Sequence, residues 1–224
     1  MSTAHSAMPN LSKQEALLLK VCGMRETDNI QDLVQLQPEW MGFIFFPKSV
    51  RYAEEVLTTE TIKNIPATVK KVGVFVNEQY EIILEKVNSY SLDAVQLHGE
   101  ESPALCRKLS SAGNLTVIKA FSVDDAFDFK KLSPYEEPCH YYLFDTKGKQ
   151  YGGNGTTFNW DILANYTGQT PFFLSGGLDL EHAAAVKNLN LPLLKGLDIN
   201  SCFELRPGLK DINKVKSFIE KIRS

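Results

Sequence analysis

Little in these 224 residues points to a metal, a membrane or a nucleic acid. The chain has only four cysteines and four histidines. Cys22, Cys106, Cys139 and Cys202 show neither metal-ligand spacing nor the density of a disulfide framework, and His5, His98, His140 and His182 are equally scattered. Reduced thiols in a cytoplasmic compartment are the simplest reading. The longest apolar runs are only strand length, well short of the roughly 20 residues of a membrane-spanning helix. A net charge of -3 without any basic block leaves no electrostatic footprint for nucleic acid or an anionic membrane. The partner expected from this composition is a small molecule. Residues 1–15 are polar and lack the apolar core of a signal peptide, so we read them as a flexible extension ahead of one folded unit over residues 16–224.

What the chain does have is a repeated alternation. Apolar runs at 17–22, 41–46, 71–76, 94–98, 115–121, 141–145, 172–175 and 193–199 read as strands covered on both faces. Helical spacing follows several of them: Ile30, Leu33, Val34 and Leu36 in 26–36; a stretch over 52–65; Tyr80, Ile83, Leu84 and Val87 in 78–87; then 103–109, a weak segment near 126–132, 180–189 and 212–222. Eight units of about 25 to 30 residues suit an α/β chain closed into a single-domain (β/α)8 TIM barrel, somewhat under its usual size of ~250 residues. A doubly wound open sheet is the alternative.

In such a barrel the chemistry sits at the C-terminal ends of the strands, which turns attention to Cys22, Arg51, His98, Asp145, Ser175 to Gly177 and Asn200. Residues two apart share a strand face. Lys20 therefore goes with Cys22 and Gln96 with His98, while Gly196, Asp198 and Asn200 share one face of the last strand. If these point inward, Leu17, Leu19 and Val21 pack against the helices. Asp145 ends a buried strand and precedes a loop with Gly152, Gly153 and Gly155, whose backbone can approach an anion closely.

Six segments then carry a resemblance: Lys20-Val-Cys-Gly23; Gly42 to Arg51; Val95-Gln-Leu-His-Gly99; Phe144-Asp-Thr-Lys147 with Gly152-Gly-Asn-Gly155; Ser175-Gly-Gly-Leu178; and Gly196-Leu-Asp-Ile-Asn-Ser201. In this order, at strand ends, they resemble the phosphoribosylanthranilate isomerases of tryptophan biosynthesis. The resemblance implies an Amadori rearrangement of N-(5'-phosphoribosyl)anthranilate without metal or redox cofactor. It implies Cys22 as general base and Asp145 as general acid. Arg51 falls on the ligand of the anthranilate carboxylate, a role suited to a planar fork of donors. His98 would line or orient the site, Asp198 would be a buried hydrogen-bond partner near the mouth, and Gly153, Gly155, Gly176 and Gly177, with Asn200 and Ser201 opening a short helix after the last strand, would hold the phosphate through backbone groups. The expected assembly is a monomer or weak homodimer. One departure stands out: many members carry Gly after the serine of the last motif, where this chain has Cys202 and Phe203.

Two other classes stay open. A related barrel isomerase of the histidine pathway works with two aspartates, against which Cys22 argues. A phosphate-binding regulator without catalysis would use the loops but would need neither proton donor nor acceptor.

Overall fold

The computed structural model describes residues 16–146 and 160–224, so the reading of residues 1–15 as an extension lies outside the described residues. Each apolar run becomes a strand: β1 (Leu18–Val21), β2 (Trp40–Ile44), β3 (Lys70–Phe75), β4 (Ala94–Leu97), β5 (Thr116–Val123), β6 (Tyr141–Thr146), β7 (Phe172–Ser175) and β8 (Leu194–Ile199). They pair in parallel in chain order, and β8 returns to β1 with Lys20 opposite Asp198. The sheet is thus a closed (β/α)8 barrel and not an open doubly wound sheet.

The period of two sorts the side chains as burial on both faces requires. Leu19, Val21, Phe43, Val95, Leu97, Phe144 and Leu197 join the core between sheet and helices, while Trp40, Val72, Ala94, Ile118, Leu143 and Phe173 form a separate cluster inside the ring. Trp40, Tyr141 and Phe173 meet edge to face there, with centroids 5.8, 5.5 and 5.4 Å apart. Each such contact adds about 0.5–1.5 kcal/mol beyond the area it buries. Gly196 makes this plug fit, because a Cβ there would lie 2.6 Å from the Phe173 ring and 2.7 Å from the Leu18 carbonyl oxygen. All three aromatics sit early in their strands, so the plug seals the N-terminal end and floors the site above it.

The outer layer is less regular than the sequence suggests. Helices α1 (Thr27–Gln35), α3 (Tyr80–Tyr90) and α4 (Pro103–Ser110) form where expected. Ser102 caps α4 by accepting from the Leu105 N–H, with Pro103 at the first helical position, where its missing N–H costs nothing. The expected helix over 52–65 splits into a 3-10 turn (Ala53–Glu55) and α2 (Thr59–Lys63), because Thr58 adopts extended backbone and caps Thr61 instead of continuing the helix. Likewise 180–189 divides into a 3-10 turn (Leu180–His182) and α5 (Ala183–Lys187). Among the described residues, β5 is followed by a 3-10 segment (Phe129–Tyr135) in place of a helix; Pro134 removes the N–H that an α-helical bond would need there. Between β6 and β7, where no helix was expected, lies another 3-10 segment (Trp160–Asn165). The stretch after β8, expected to be a loop, contains an antiparallel hairpin of β9 (Glu204–Arg206) and β10 (Leu209–Lys210). It turns at Gly208, whose φ of 83° favours glycine. Helix α6 (Ile212–Arg223) closes the chain, capped by Asp211 and burying Val215, Phe218 and Ile219 along one face.

Candidate active site

The interior positions of β1 and β8 are polar where the aromatic plug ends. Lys20 and Asp198, partners across the seam, form an ion pair at 2.9 Å with side chains 0% and 5% exposed. Asp198 is thus a buried hydrogen-bond partner, as expected, and the group it pairs with is Lys20. Burial works against the Lys20 ammonium, but Asp198 and Cys22 outweigh it and hold the pKa above the ordinary lysine value. Cys22, two residues further along the same face, interacts with that ammonium. Its backbone N–H donates to the Ile199 carbonyl at 2.9 Å, extending the β1–β8 pairing to the mouth. Burial pushes the Cys22 thiol up, and Lys20 and Lys210 pull it back only in part.

Two glycines give these side chains their room. A Cβ at Gly42 would lie 2.8 Å from the Cys22 Sγ, so the thiol leans over β2 only because that position is bare. Gly23 has φ of 76°, and a Cβ there would lie 2.7 Å from Asn200 Oδ1 and 2.8 Å from Arg51 Cδ. The Lys20-Val-Cys-Gly23 segment thus ends in the residue that lets Arg51 and Asn200 close over the end of β1.

Arg51 does not stand free. Glu204 accepts from its Nε at 2.9 and 3.1 Å and from its Nη2 at 2.6 Å. Lys210 Nζ lies 2.6 Å from Glu204 Oε1 and donates to Asn200 Oδ1 at 2.8 Å. Neither Glu204 nor Lys210 was a candidate from the sequence. The available signal was Pro207-Gly208, a turn dipeptide that would have placed Glu204 and Lys210 on the two arms of a hairpin.

On another wall, Asp145 ends β6 and His98 follows β4, with His98 Nε2 3.5 Å from Asp145 Oδ2 and the two side chains 36% and 34% exposed. Gln96 lies below, its Nε2 2.9 Å from His98 Nδ1, and its Oε1 is buried without a partner among the described residues. Buried Lys119 fixes the turn under His98 by donating to the carbonyls of Leu97, Gly99 and Ala120 and pairing with Glu101 at 3.2 Å. Asp198 feels the charges of His98 and Asp145 as well as that of Lys20.

The anion-binding candidates gather after β7 and β8. Gly176 and Gly177 have φ of 92° and 63°, and the Cβ direction at Gly177 is open space. Asn200 turns the chain into the short 3-10 segment Ser201–Phe203. Lys214 of α6 ties the two loops together, donating to the Cys202 carbonyl at 2.6 Å and pairing with Asp179 at 2.7 Å. Cys202 thus contributes a backbone oxygen, which the glycine common at this position would also supply. Gly153 and Gly155 lie outside the described residues. Among the described residues, no three His, Cys, Asp or Glu side chains gather as a metal-binding group, and no helix is long and apolar enough to cross a membrane.

A thiol beside a buried ammonium, a carboxylate on a second wall, a guanidinium and glycine-rich turns at the C-terminal mouth define a barrel enzyme of the acid–base class. Comparison with known proteins narrows this. The family model described as N-(5'-phosphoribosyl)anthranilate (PRA) isomerase matches residues 19–221. The N-(5'-phosphoribosyl)anthranilate isomerase of Parabacteroides distasonis is 46% identical over 207 residues, spanning 92% of this chain and 93% of that one. A phosphoribosylanthranilate isomerase solved in complex with reduced 1-(o-carboxyphenylamino)-1-deoxyribulose 5-phosphate superposes with a TM-score of 0.77 at 32% identity, over 92% of this chain and 98% of that one. Monomers generated from the dimeric Thermotoga maritima enzyme give a TM-score of 0.76 at 31% identity, over 93% and 99%. This chain belongs to the phosphoribosylanthranilate isomerase family.

Proposed function

We propose that this chain, in tryptophan biosynthesis, converts N-(5'-phosphoribosyl)anthranilate into 1-(2-carboxyphenylamino)-1-deoxyribulose 5-phosphate, with Cys22 as general base and Asp145 as general acid. The observation that supports this reading is the Cys22 thiol just beyond β1 beside the fully buried Lys20, with Asp145 and His98 3.5 Å apart at the same end of the barrel. Protonated Asp145 donates to the furanose oxygen as its bond to C1' breaks and the nitrogen lone pair forms a cationic Schiff base. The Cys22 thiolate then takes the C2' proton, and that C–H pair becomes the C1'–C2' double bond of the enolamine, neutralising the nitrogen. Protons balance when Cys22 delivers its proton to C1' and the enol hydroxyl proton returns to Asp145, leaving the ketone.

The productive site carries one proton, on Asp145 and not on Cys22. Burial alone favours the thiol, so the thiolate must draw on Lys20, on Lys210 and on the positive charge that appears in the substrate as the ring opens. Arg51 receives the anthranilate carboxylate, Asp198 and His98 orient the groups they touch, and Gly153, Gly155, Gly176, Gly177, Asn200 and Ser201 receive the phosphate. Residues 16–224 act as one catalytic unit, a monomer or weak homodimer, in a cytoplasm that suits four free cysteines. The test is to give the purified protein freshly made phosphoribosylanthranilate and follow loss of the anthranilate signal. Turnover far above the spontaneous rate is expected, and decay at the spontaneous rate overturns the reading.

A further inference from the structure

The β9–β10 hairpin inserts one buried carboxylate between two cations at the mouth of the barrel. Glu204 faces Arg51 through both oxygens, pairs with the fully buried Lys210, and also accepts the Gly208 backbone N–H at 3.1 Å. Two positive charges and one negative leave this cluster with an excess of one positive charge. The Lys20–Asp198 pair below it is balanced. A ligand carrying a carboxylate would complete the count.

Geometry says which donors remain for that ligand. A guanidinium offers two edges with parallel N–H pairs, Nε with Nη2 and Nη1 with Nη2. Glu204 occupies the first edge. We infer that Glu204 is a positioning residue for substrate selection: it clamps Arg51 by one edge and so aims the other at the substrate's carboxylate, while Lys210 anchors Glu204 from behind. The second cation distinguishes this from an ordinary structural pair, because while Cys22 is a thiol it leaves the cluster one positive charge in excess before ligand arrives. Fixing the arginine in advance also removes rotamer freedom that binding would otherwise have to freeze. The inference rests on the proposed function, whose carboxylate-bearing substrate supplies the partner for the free edge.

The experiment measures, by calorimetry, binding of reduced 1-(o-carboxyphenylamino)-1-deoxyribulose 5-phosphate and of its analogue without the carboxyl group. Glu204→Asp keeps a charge for Lys210 but withdraws the carboxylate from Arg51 by one methylene. We expect it to weaken the carboxylate ligand by about tenfold or more, the worth of one charge-assisted hydrogen bond, and to leave the analogue unchanged. The same substitution in an Arg51→Ala background is expected to add nothing. If Glu204→Asp does not fold, Glu204→Gln, which keeps Lys210 and its bond to Asn200, is expected to show the same selective loss. Equal weakening of both ligands, an equal loss without Arg51, or unchanged binding of the carboxylate ligand overturns the inference. Absence of wild-type turnover would instead count against the proposed reaction, since these binding measurements do not depend on it.

Discussion

Lys20 and Asp198 face each other across the seam where β8 meets β1, their charges 2.9 Å apart and both side chains shut away from solvent. The same ammonium serves the Cys22 thiol. Lys20→Met should therefore do two separable things. It leaves a buried carboxylate without its partner, costing about 3–5 kcal/mol, and it removes the nearest charge that favours the thiolate. Pairing it with Asp198→Leu should restore most of the stability in urea unfolding while activity stays lost. Recovery of turnover along with stability would show that the ion pair only holds the barrel together.

Arg51→Lys should weaken substrate binding by about tenfold or more, because an ammonium cannot answer both Glu204 and a second carboxylate with parallel donors, and each charge-assisted bond is worth about 1.5–3 kcal/mol. An analogue without the carboxyl group should bind wild type and variant nearly equally. An analogue that loses as much as the substrate would mean that Arg51 touches some other part of it.

Gly42→Ala tests whether the thiol's position matters as well as its identity. The added methyl would sit 2.8 Å from Sγ, so either Cys22 or the backbone must move, at a stability cost of about 1–3 kcal/mol. A sharp fall in kcat in a protein that still unfolds cooperatively is the expected result. Wild-type kcat would show that the base tolerates displacement.

Glu204 supplies a pH dependence with a definite sign. Burial opposes its charge, but hydrogen bonds from Arg51 and the nearby Lys210 outweigh burial and hold its pKa below the ordinary 4.5. A depressed carboxylate contributes stability above its unfolded pKa and loses it as pH falls through the folded value. The stability advantage of wild type over Glu204→Gln should be complete above pH 4.5 and shrink progressively below it. Urea unfolding at stepped pH measures this; a pH-independent difference would mean that Glu204 is not held ionised by its neighbours.

The barrel was legible in the sequence because burial on both faces forces continuous apolar runs, and because a period of two fixes which residues share a face. That spacing alone pairs Lys20 with Cys22 and Asp198 with Asn200. The helical layer was less legible. Thr58 and Pro134 break helical runs by local chemistry that apolar spacing does not register. The Glu204 and Lys210 network was missed for a different reason. β9 and β10 are only three and two residues long, too short for alternation to show, and Arg51 meets Glu204 across 153 positions of sequence. Closure of the ring creates that contact, and no local pattern encodes it.

On the proposed mechanism one proton moves through Asp145 and another through Cys22, which steady-state turnover of Asp145→Asn and Cys22→Ser on phosphoribosylanthranilate puts to the test. An amide cannot donate at an accessible pKa, and a hydroxyl is far harder to ionise than a thiol, yet each nearly fills the original space. With wild-type melting behaviour, both variants should lose about 10²–10⁴-fold or more in kcat. A folded variant that turns over at close to the wild-type rate would contradict the assignment at that residue.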